Sequence, residues 1–182
     1  MAVLSVLKAE HPVLRGRAKR ISRIDASLEK LIDDMVDTLH AANGVGLAAP
    51  QVGVPLRLSV VQVPADYEEP HAGELFILIN PEIIKTSEGH EIDEGCLSLP
   101  GYAGTITRAE KVTVKARDRS MREYRIKAGG VLAQALQHEI DHLNGVLFYD
   151  HLPSLDRLRR LEAATQESQT VESAPVAASG ES

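Results

Sequence analysis

The segment that most constrains the fold is 129–145, which places ionisable side chains inside an apolar helix. Glycines bound the segment at both ends, and its apolar residues are Val131, Leu132, Ala135, Leu136 and Leu143. These residues occupy much of the helix circumference, which is typical of a buried helix. The same segment also contains two histidines and a glutamate. Because unpaired polar groups in a core are costly, the rest of the fold must supply partners for these groups.

His138, Glu139 and His142 form an H-E-x-x-H pattern within this helix. Side chains four residues apart leave the same side of a helix, so the two imidazoles can bind one metal ion. Glu139, beside the first histidine, can then reach a metal-bound water. A bare pattern of this kind also occurs by chance, and both histidines would then be core residues paired with their neighbours. For Asp141, a surface charge is favoured over a hydrogen-bond acceptor near the metal.

A catalytic site of this type needs a third protein ligand. The downstream candidates, His151 and Glu162, follow at unsuitable positions. Cys96, in the stretch EGCLSLP at 94–100, is the better candidate, because a thiolate and two imidazoles form a complete ligand set for Zn²⁺ or Fe²⁺. A lone cysteine is more often a small buried apolar residue. The metal hypothesis nevertheless gives the cysteine and the buried histidines a single explanation.

The remaining sequence predicts an α+β domain. An apolar stripe indicates a helix over 25–43, and branched aliphatic residues indicate strands at 56–63, 74–80, 81–85 and 111–118. The last strand has a hairpin partner at 122–128, and the stretches 44–53 and 101–107 are predicted to be loops. A further amphipathic helix is predicted over 153–164. We therefore expect antiparallel β-sheets packed around a central buried helix that carries the H-E-x-x-H motif, with an N-terminal and a C-terminal helix.

Length and composition limit the class of protein. The 182 residues suit one domain, which we place at 1–165, with a disordered tail at 166–182. The net charge of −6 argues against general nucleic-acid binding, and we predict no specific DNA binding. A single cysteine excludes an internal disulfide. No secretory leader or membrane-spanning apolar run is recognisable, so we predict a cytoplasmic protein with no membrane partner.

Three motifs in order, GVGLAAPQVG, EGCLSLP and QHEIDHLNG, resemble the signature motifs of the peptide deformylase family. The resemblance implies an enzyme that removes the formyl group from the N-terminal formyl-methionine of nascent polypeptides. It implies one divalent metal per chain, natively Fe²⁺, with Zn²⁺ or Ni²⁺ as alternatives. The implied ligands are Cys96, His138 and His142, and the implied general base and acid is Glu139.

The same resemblance implies further roles. The side-chain amide of Gln51 and the backbone N–H of Leu97 would hold the formyl oxygen, and Gly46 would pair its backbone with the substrate peptide. Glu94 and Arg108 would form a buried pair that braces the cysteine loop. A pocket for the methionine side chain, with plain core packing as the alternative, is implied at Val45, Val131 and Ala135.

Partners and rival functions complete the predictions. Three arginines in the predicted C-terminal helix can contact the ribosome, although a solvated helix face explains them equally: Arg157, Arg159 and Arg160. A small metalloprotease is one rival function, but it leaves Cys96 and Gln51 unexplained. A structural metal-binding protein is the other, but it would need four protein ligands where the sequence offers three.

Overall fold

The computed structural model describes residues 2–162, which form two antiparallel sheets and two α-helices. The elements in chain order are α1 Ala26–Ala41, β1 Gly46–Ala48, β2 Leu58–Gln62, β3 Leu75–Thr86, β4 Gly89–Cys96, β5 Leu99–Ala109, β6 Val112–Arg117, β7 Glu123–Ala128, α2 Gly130–Leu143 and β8 Arg159–Arg160. Single 3-10 turns lie at Pro12–Arg15, Ala49–Val52, Phe148–His151 and Leu155–Arg157. The predicted α+β class with antiparallel sheets is confirmed.

Helix α1 forms where the apolar periodicity predicts it. Asp25 caps its first turn, because the Asp25 carboxylate accepts a hydrogen bond from the backbone N–H of Leu28 at 2.9 Å. The buried stripe of the helix packs against the large sheet and consists of Leu28, Ile32, Met35 and Leu39. The N-terminal third of the chain thereby covers one side of the sheet.

The two sheets enclose the motif helix. The large sheet has the strand order β1-β2-β3-β6-β7, and the small sheet has the order β4-β5-β8. Helix α2 packs against β1, β2 and β3 of the large sheet and against β5 of the small one. Strand β1 lies at an edge of the large sheet, so one side of its backbone has no partner strand among the described elements. No helix within 2–162 combines the length and the apolar character needed to cross a membrane.

Both ends of α2 are held by side chains from distant parts of the chain. At the N-terminus, the Glu69 carboxylate accepts hydrogen bonds from the backbone N–H groups of Val131 and Leu132, each at 3.2 Å. At the C-terminus, the buried Arg57 guanidinium donates to the Leu143 carbonyl at 3.1 Å. A carboxylate at the first turn and a cation at the last are the favourable charges for a helix dipole. These contacts fix the position of the motif helix.

Three of the sequence predictions about strands and loops are wrong in detail. The segments 74–80 and 81–85 form one strand, β3, and not two. The chain bends within this strand at Asn80, whose φ is 51° and whose side chain hydrogen-bonds both main-chain polar groups of Ile21. The predicted loop at 101–107 lies within β5, because it pairs with β4 along almost its whole length. The glycine-rich stretch 44–53 likewise contains β1 and a 3-10 turn.

The prediction of a C-terminal helix is wrong for the residues that the structure describes. Residues 155–157 form a single 3-10 turn, and the chain then adds β8 to the edge of β5, with Arg159 opposite Ala103. Of the apolar stripe, Leu158 packs against the cluster that contains Phe148, but Leu155 is 68% exposed and Leu161 is 53% exposed. An amphipathic pattern that buries so little of its apolar face does not stabilise a short helix. Residues 163 and 164 of that helix and the predicted tail at 166–182 lie outside the described residues.

Candidate active site

Three metal-ligating atoms converge between α2 and the end of β4. The Nε2 atoms of His138 and His142 are 3.1 Å apart, and the Sγ of Cys96 lies 3.3 Å from the His142 Nε2. All three ligand atoms lie within 4.8 Å of one another. Ligands bound to a single tetrahedral ion are separated by about 3.3–3.7 Å, given bond lengths of about 2.0–2.3 Å. The trio therefore fits one divalent ion, and its thiolate–imidazole chemistry suits Zn²⁺ or Fe²⁺.

The orientation of His138 is set by Glu94. The Nδ1 of His138 lies 2.6 Å from Glu94 Oε1, which leaves its Nε2 turned toward His142 and Cys96. A carboxylate on the far nitrogen of an imidazole fixes the tautomer and strengthens the ligand. Burial by itself would raise the pKa of Glu94, but hydrogen bonds from His138 and Arg108 outweigh it and lower that pKa to about 2. Glu94 therefore stays ionised.

Arg108 connects Glu94 to the surface of the protein. Its guanidinium donates to both oxygens of Glu94, at 3.0 and 2.5 Å, and to Asp141 at 2.6 Å. The predicted buried pair of Glu94 and Arg108 is thus confirmed, since each residue is 5% exposed. The interpretation of Asp141 as a plain surface charge is wrong, because this carboxylate binds both Arg108 and His151. His151 is thereby occupied away from the ligand trio.

The two histidines shift their pKa values in opposite directions. Burial opposes the charged form of His138, but hydrogen bonds to Cys96 and Glu94 raise the pKa of His138 well above its usual value. Burial and the neighbouring charge of His138 lower the pKa of His142 well below its usual value. A metal ion binds the deprotonated forms of these ligands.

Glu139 lies beside the trio with one oxygen free. The residue is 2% exposed, and its Oε2 has no hydrogen-bond partner within residues 2–162. Burial raises the pKa of Glu139 to about 7. A Cβ atom built on Gly46 would lie 2.3 Å from Glu139 Oε1, so only glycine leaves room for this carboxylate. A carboxyl group with a pKa near neutrality can both accept and return a proton.

Gln51 presents its amide donor to the site. Its Oε1 accepts a hydrogen bond from the Ala48 N–H at 2.9 Å, so its Nε2 points to Ser98 Oγ at 3.2 Å and toward Cys96 Sγ at 3.6 Å. Ser98 was missed by the sequence reasoning; its backbone N–H also faces the thiolate, at 3.4 Å. Its position two residues after Cys96, within the same motif, is the sequence feature that could have identified it. Leu97, between them, lines the cavity described next.

A cavity of about 370 Å³ opens over the trio. Glu139, His138 and Cys96 lie on its wall, together with Gln51. Every residue assigned to substrate binding from the sequence also lines it, namely Val45, Gly46, Val131 and Ala135. The cavity adjoins the edge strand β1, so an extended ligand can lie along that strand while its end reaches the ligand trio.

Comparison with known proteins gives consistent matches over nearly the whole domain. A family model for polypeptide deformylase matches residues 3–158. A peptide deformylase of Dehalococcoides mccartyi is 50% identical over 161 residues, which cover 88% of this chain and 93% of the relative. One from Halothermothrix orenii is 52% identical over 153 residues, with coverages of 82% and 94%.

Solved structures give the same result. The crystal structure of a peptide deformylase from Legionella pneumophila matches with a TM-score of 0.79 and 49% identity, over 86% of this chain and 89% of the other. The peptide deformylase from Ehrlichia chaffeensis in complex with actinonin matches with a TM-score of 0.81 and 43% identity, over 86% and 92%.

Proposed function

Since this chain belongs to the peptide deformylase family, we propose that Cys96, His138 and His142 hold the metal with which it works. The chain is a metal-dependent hydrolase that removes the N-formyl group from the formyl-methionine of nascent polypeptides and releases formate. The observation that supports the proposed centre is the convergence of the three ligand atoms beside the buried carboxylate of Glu139.

The proposed metal is Fe²⁺, with Zn²⁺ and Ni²⁺ as functional replacements. A divalent ion held by a thiolate and two imidazoles supplies Lewis acidity, which polarises a carbonyl oxygen and lowers the pKa of a water toward neutrality. The protein's own part is to keep both Nε2 atoms turned inward. Glu94 does this for His138 through the 2.6 Å contact at Nδ1.

Glu139 is the proposed proton carrier. It accepts a proton from the attacking water and later delivers that proton to the nitrogen of the leaving methionine. Its Oε2 is buried and unpaired, so no neighbouring side chain competes for the proton. The pKa of about 7 that burial gives Glu139 suits both directions of transfer.

Gln51 and Leu97 are the proposed donors to the formyl oxygen. Negative charge develops on that oxygen during attack, and each well-placed donor typically contributes about 3–4 kcal/mol. The contacts of Gln51 to Ala48 and Ser98 hold its side chain at the site, and the N–H that points toward Cys96 Sγ would be the one that donates to the formyl oxygen. The backbone N–H of Leu97 would be the second donor, from the residue next to the ligand Cys96.

The substrate peptide is proposed to add to the open edge of β1, with its backbone paired to Gly46. The methionine side chain would occupy the part of the cavity lined by Val45, Val131 and Ala135. The pocket is apolar on these three sides, which suits an unbranched thioether side chain.

We propose a cytoplasmic location near ribosomes, because the substrate is a nascent chain. A ribosome contact at this end of the described chain would use the exposed side chains of Arg157 and Arg160. Arg159 is left out because it already pairs with Asp93 at 2.7 Å. Charge reversal at Arg157 and Arg160 should weaken co-sedimentation with ribosomes. Arg122→Glu is the matched control, and an equal effect of the control would remove this partner from the proposal.

The deciding experiment is formate release from a formyl-Met-Ala-Ser peptide, performed anaerobically with Fe²⁺- or Ni²⁺-loaded protein. Release should require the metal and should fall by about 10²–10⁴-fold in Glu139→Gln, whose side chain cannot carry the proton. Metal content measured on the same variant separates loss of chemistry from loss of metal. Undiminished release by Glu139→Gln would contradict the proposed role. If the protein instead cleaves the internal peptide bonds of this substrate, the result would favour the rival function of a small metalloprotease.

A further inference from the structure

A second cavity, of about 680 Å³, opens at the other end of the large sheet. It lies where β3 ends, β6 begins and β7 passes into α2. None of its lining residues belongs to the ligand trio or to the proposed substrate pocket. The cationic residues of its lining are Lys85, Lys111 and Lys127.

The strand register places two of these lysines on the outer face of the sheet, on either side of Thr113. Lys85 and Lys127 both pair with Thr113, from opposite sides. The neighbouring Val112 and Val114 are buried, so Thr113 and its partners face away from the core. Lys111 lies one residue before β6, and its stem passes 3.8 Å from the position of a Cβ on Gly129. The three ammonium groups therefore border one opening.

No carboxylate neutralises these lysines. None of the three forms an ion pair within the part of the chain that the structure describes. The one carboxylate that lines the cavity belongs to Glu69, and both of its oxygens accept hydrogen bonds from the first turn of α2. Glu69 is therefore committed to the helix and is not free to fold over the lysines.

The next row of the same face is also cationic. Lys115 and Arg125 lie directly opposite each other on β6 and β7. Like charges in directly opposite positions destabilise a sheet. Glu82 approaches Lys115 at 3.4 Å but also binds Arg20 at 2.9 Å, so it offsets only part of this charge. In a chain with a net charge of −6, cations accumulate on this one face, and the three cavity lysines among them form no ion pair within residues 2–162.

We propose that the cavity binds an organic phosphate, whose oxygens contact the ammonium groups of Lys85, Lys111 and Lys127. Lysine binds phosphate as a point charge and needs no fixed fork geometry, so flexible exposed lysines suit it. The organic part of the ligand would lie against the exposed lining beside the lysines, formed by Pro70, His71 and Thr86. A free nucleotide and a nucleotide within an RNA strand share this chemistry.

The test compares three probes on the full chain: AMP, inorganic phosphate, and a fluorescent oligouridylate of about eight nucleotides. Calorimetry and anisotropy give the affinities at about 50 and 200 mM salt. The variant Lys85→Ala/Lys127→Ala should bind AMP or the oligonucleotide at least about tenfold more weakly than the wild type. Arg122→Ala removes an exposed arginine outside the cavity and should leave both affinities unchanged.

The outcomes separate the two sources. Lysine-dependent binding of AMP identifies a site for a free organic phosphate. Lysine-dependent binding of the oligonucleotide alone, with a log–log salt slope of about −0.7 for each phosphate contacted, identifies RNA as the source. Absence of binding for all three probes, equal weakening by Arg122→Ala, or binding of inorganic phosphate as tight as that of AMP overturns the proposal. Formate release by the same lysine variants is measured in parallel and should not change.

Discussion

Replacing Gly46 with alanine tests how closely the edge strand β1 approaches the buried carboxylate. A Cβ at this position would lie 2.3 Å from Glu139 Oε1 and 2.8 Å from its Cγ and Cδ. The backbone of Gly46 does not require glycine, because it is not among the residues with positive φ. The substitution should therefore spare the strand and displace the carboxylate.

The size of the effect follows from these distances. Non-bonded carbon atoms are normally about 3.5–4.0 Å apart, so the Glu139 side chain must move by about 1 Å. A misplacement of about 1 Å at a reacting group can reduce the rate about 10²-fold. We therefore expect kcat to fall about 100-fold while the metal content stays at the wild-type level, since the three atoms nearest to the added methyl group all belong to Glu139.

The assay is formate release at saturating peptide, with the metal content of each variant determined first. Gly16→Ala is the matched control, because its added Cβ would meet only the Val13 carbonyl oxygen, at an ordinary 3.6 Å. A double variant, Gly46→Ala with Glu139→Ala, tests whether the added methyl group acts through the Glu139 carboxylate. If the methyl group acts only by displacing the carboxylate, the double variant should be no slower than Glu139→Ala alone.

Two results would refute this reasoning. A Gly46→Ala enzyme with kcat within about threefold of the wild type would show that the carboxylate has room to move without loss. A double variant much slower than Glu139→Ala would show that the methyl group acts on peptide binding and not on Glu139.

Four further perturbations have predicted outcomes. Arg108→Met leaves Glu94 and Asp141 without their shared cation, and should lower the free energy of unfolding by about 3–5 kcal/mol in urea denaturation; a loss below about 1 kcal/mol would contradict the buried pair. Burial raises the pKa of Tyr124, whose hydroxyl donates to the Ile77 carbonyl. Because the unfolded chain then loses this proton first, stability should decline above pH about 10 by at most about 1.4 kcal/mol per pH unit, and Tyr124→Phe should remove that part of the decline. Chelation of the metal should lower the melting temperature of the wild type but not of Cys96→Ala, since only a bound ion stabilises the folded state. In air, the iron form should lose activity faster than the nickel form through oxidation at Cys96, and equal rates would count against an iron–thiolate centre.

The sequence predicts those parts of the molecule that depend on local periodicity. The i, i+4 spacing predicted that His138 and His142 face the same side of a helix, and their Nε2 atoms lie 3.1 Å apart. The apolar stripe of α1 and its Asp25 cap were recognisable for the same reason. The approach of Cys96 to the histidines depends on the pairing of β4 with β5. Local periodicity does not predict this approach; the need for a third metal ligand and the family resemblance do.

The predictions failed where tertiary contacts decide the structure. The stripe at 153–164 has helical spacing, but pairing of Arg159 and Arg160 with β5 replaces the helix in the described residues. Asp141 looks like a surface charge in sequence, since its partners Arg108 and His151 are 33 and 10 residues away. Charge type alone does not identify a partner at such separations.

The anchoring of α2 makes activity an indicator of the whole fold. Glu69 contacts the start of the helix across 62 residues of sequence, and Arg57 contacts its end across 86. No short fragment that contains His138 and His142 also contains Glu69 and Arg57. We therefore expect that no such fragment folds into the metal-binding arrangement on its own. Amide hydrogens of α2 should therefore exchange with solvent mainly through global opening of the domain and not through local fraying. Loss of the catalytic centre and cooperative unfolding would then be one event, and residual activity would measure the native fraction directly.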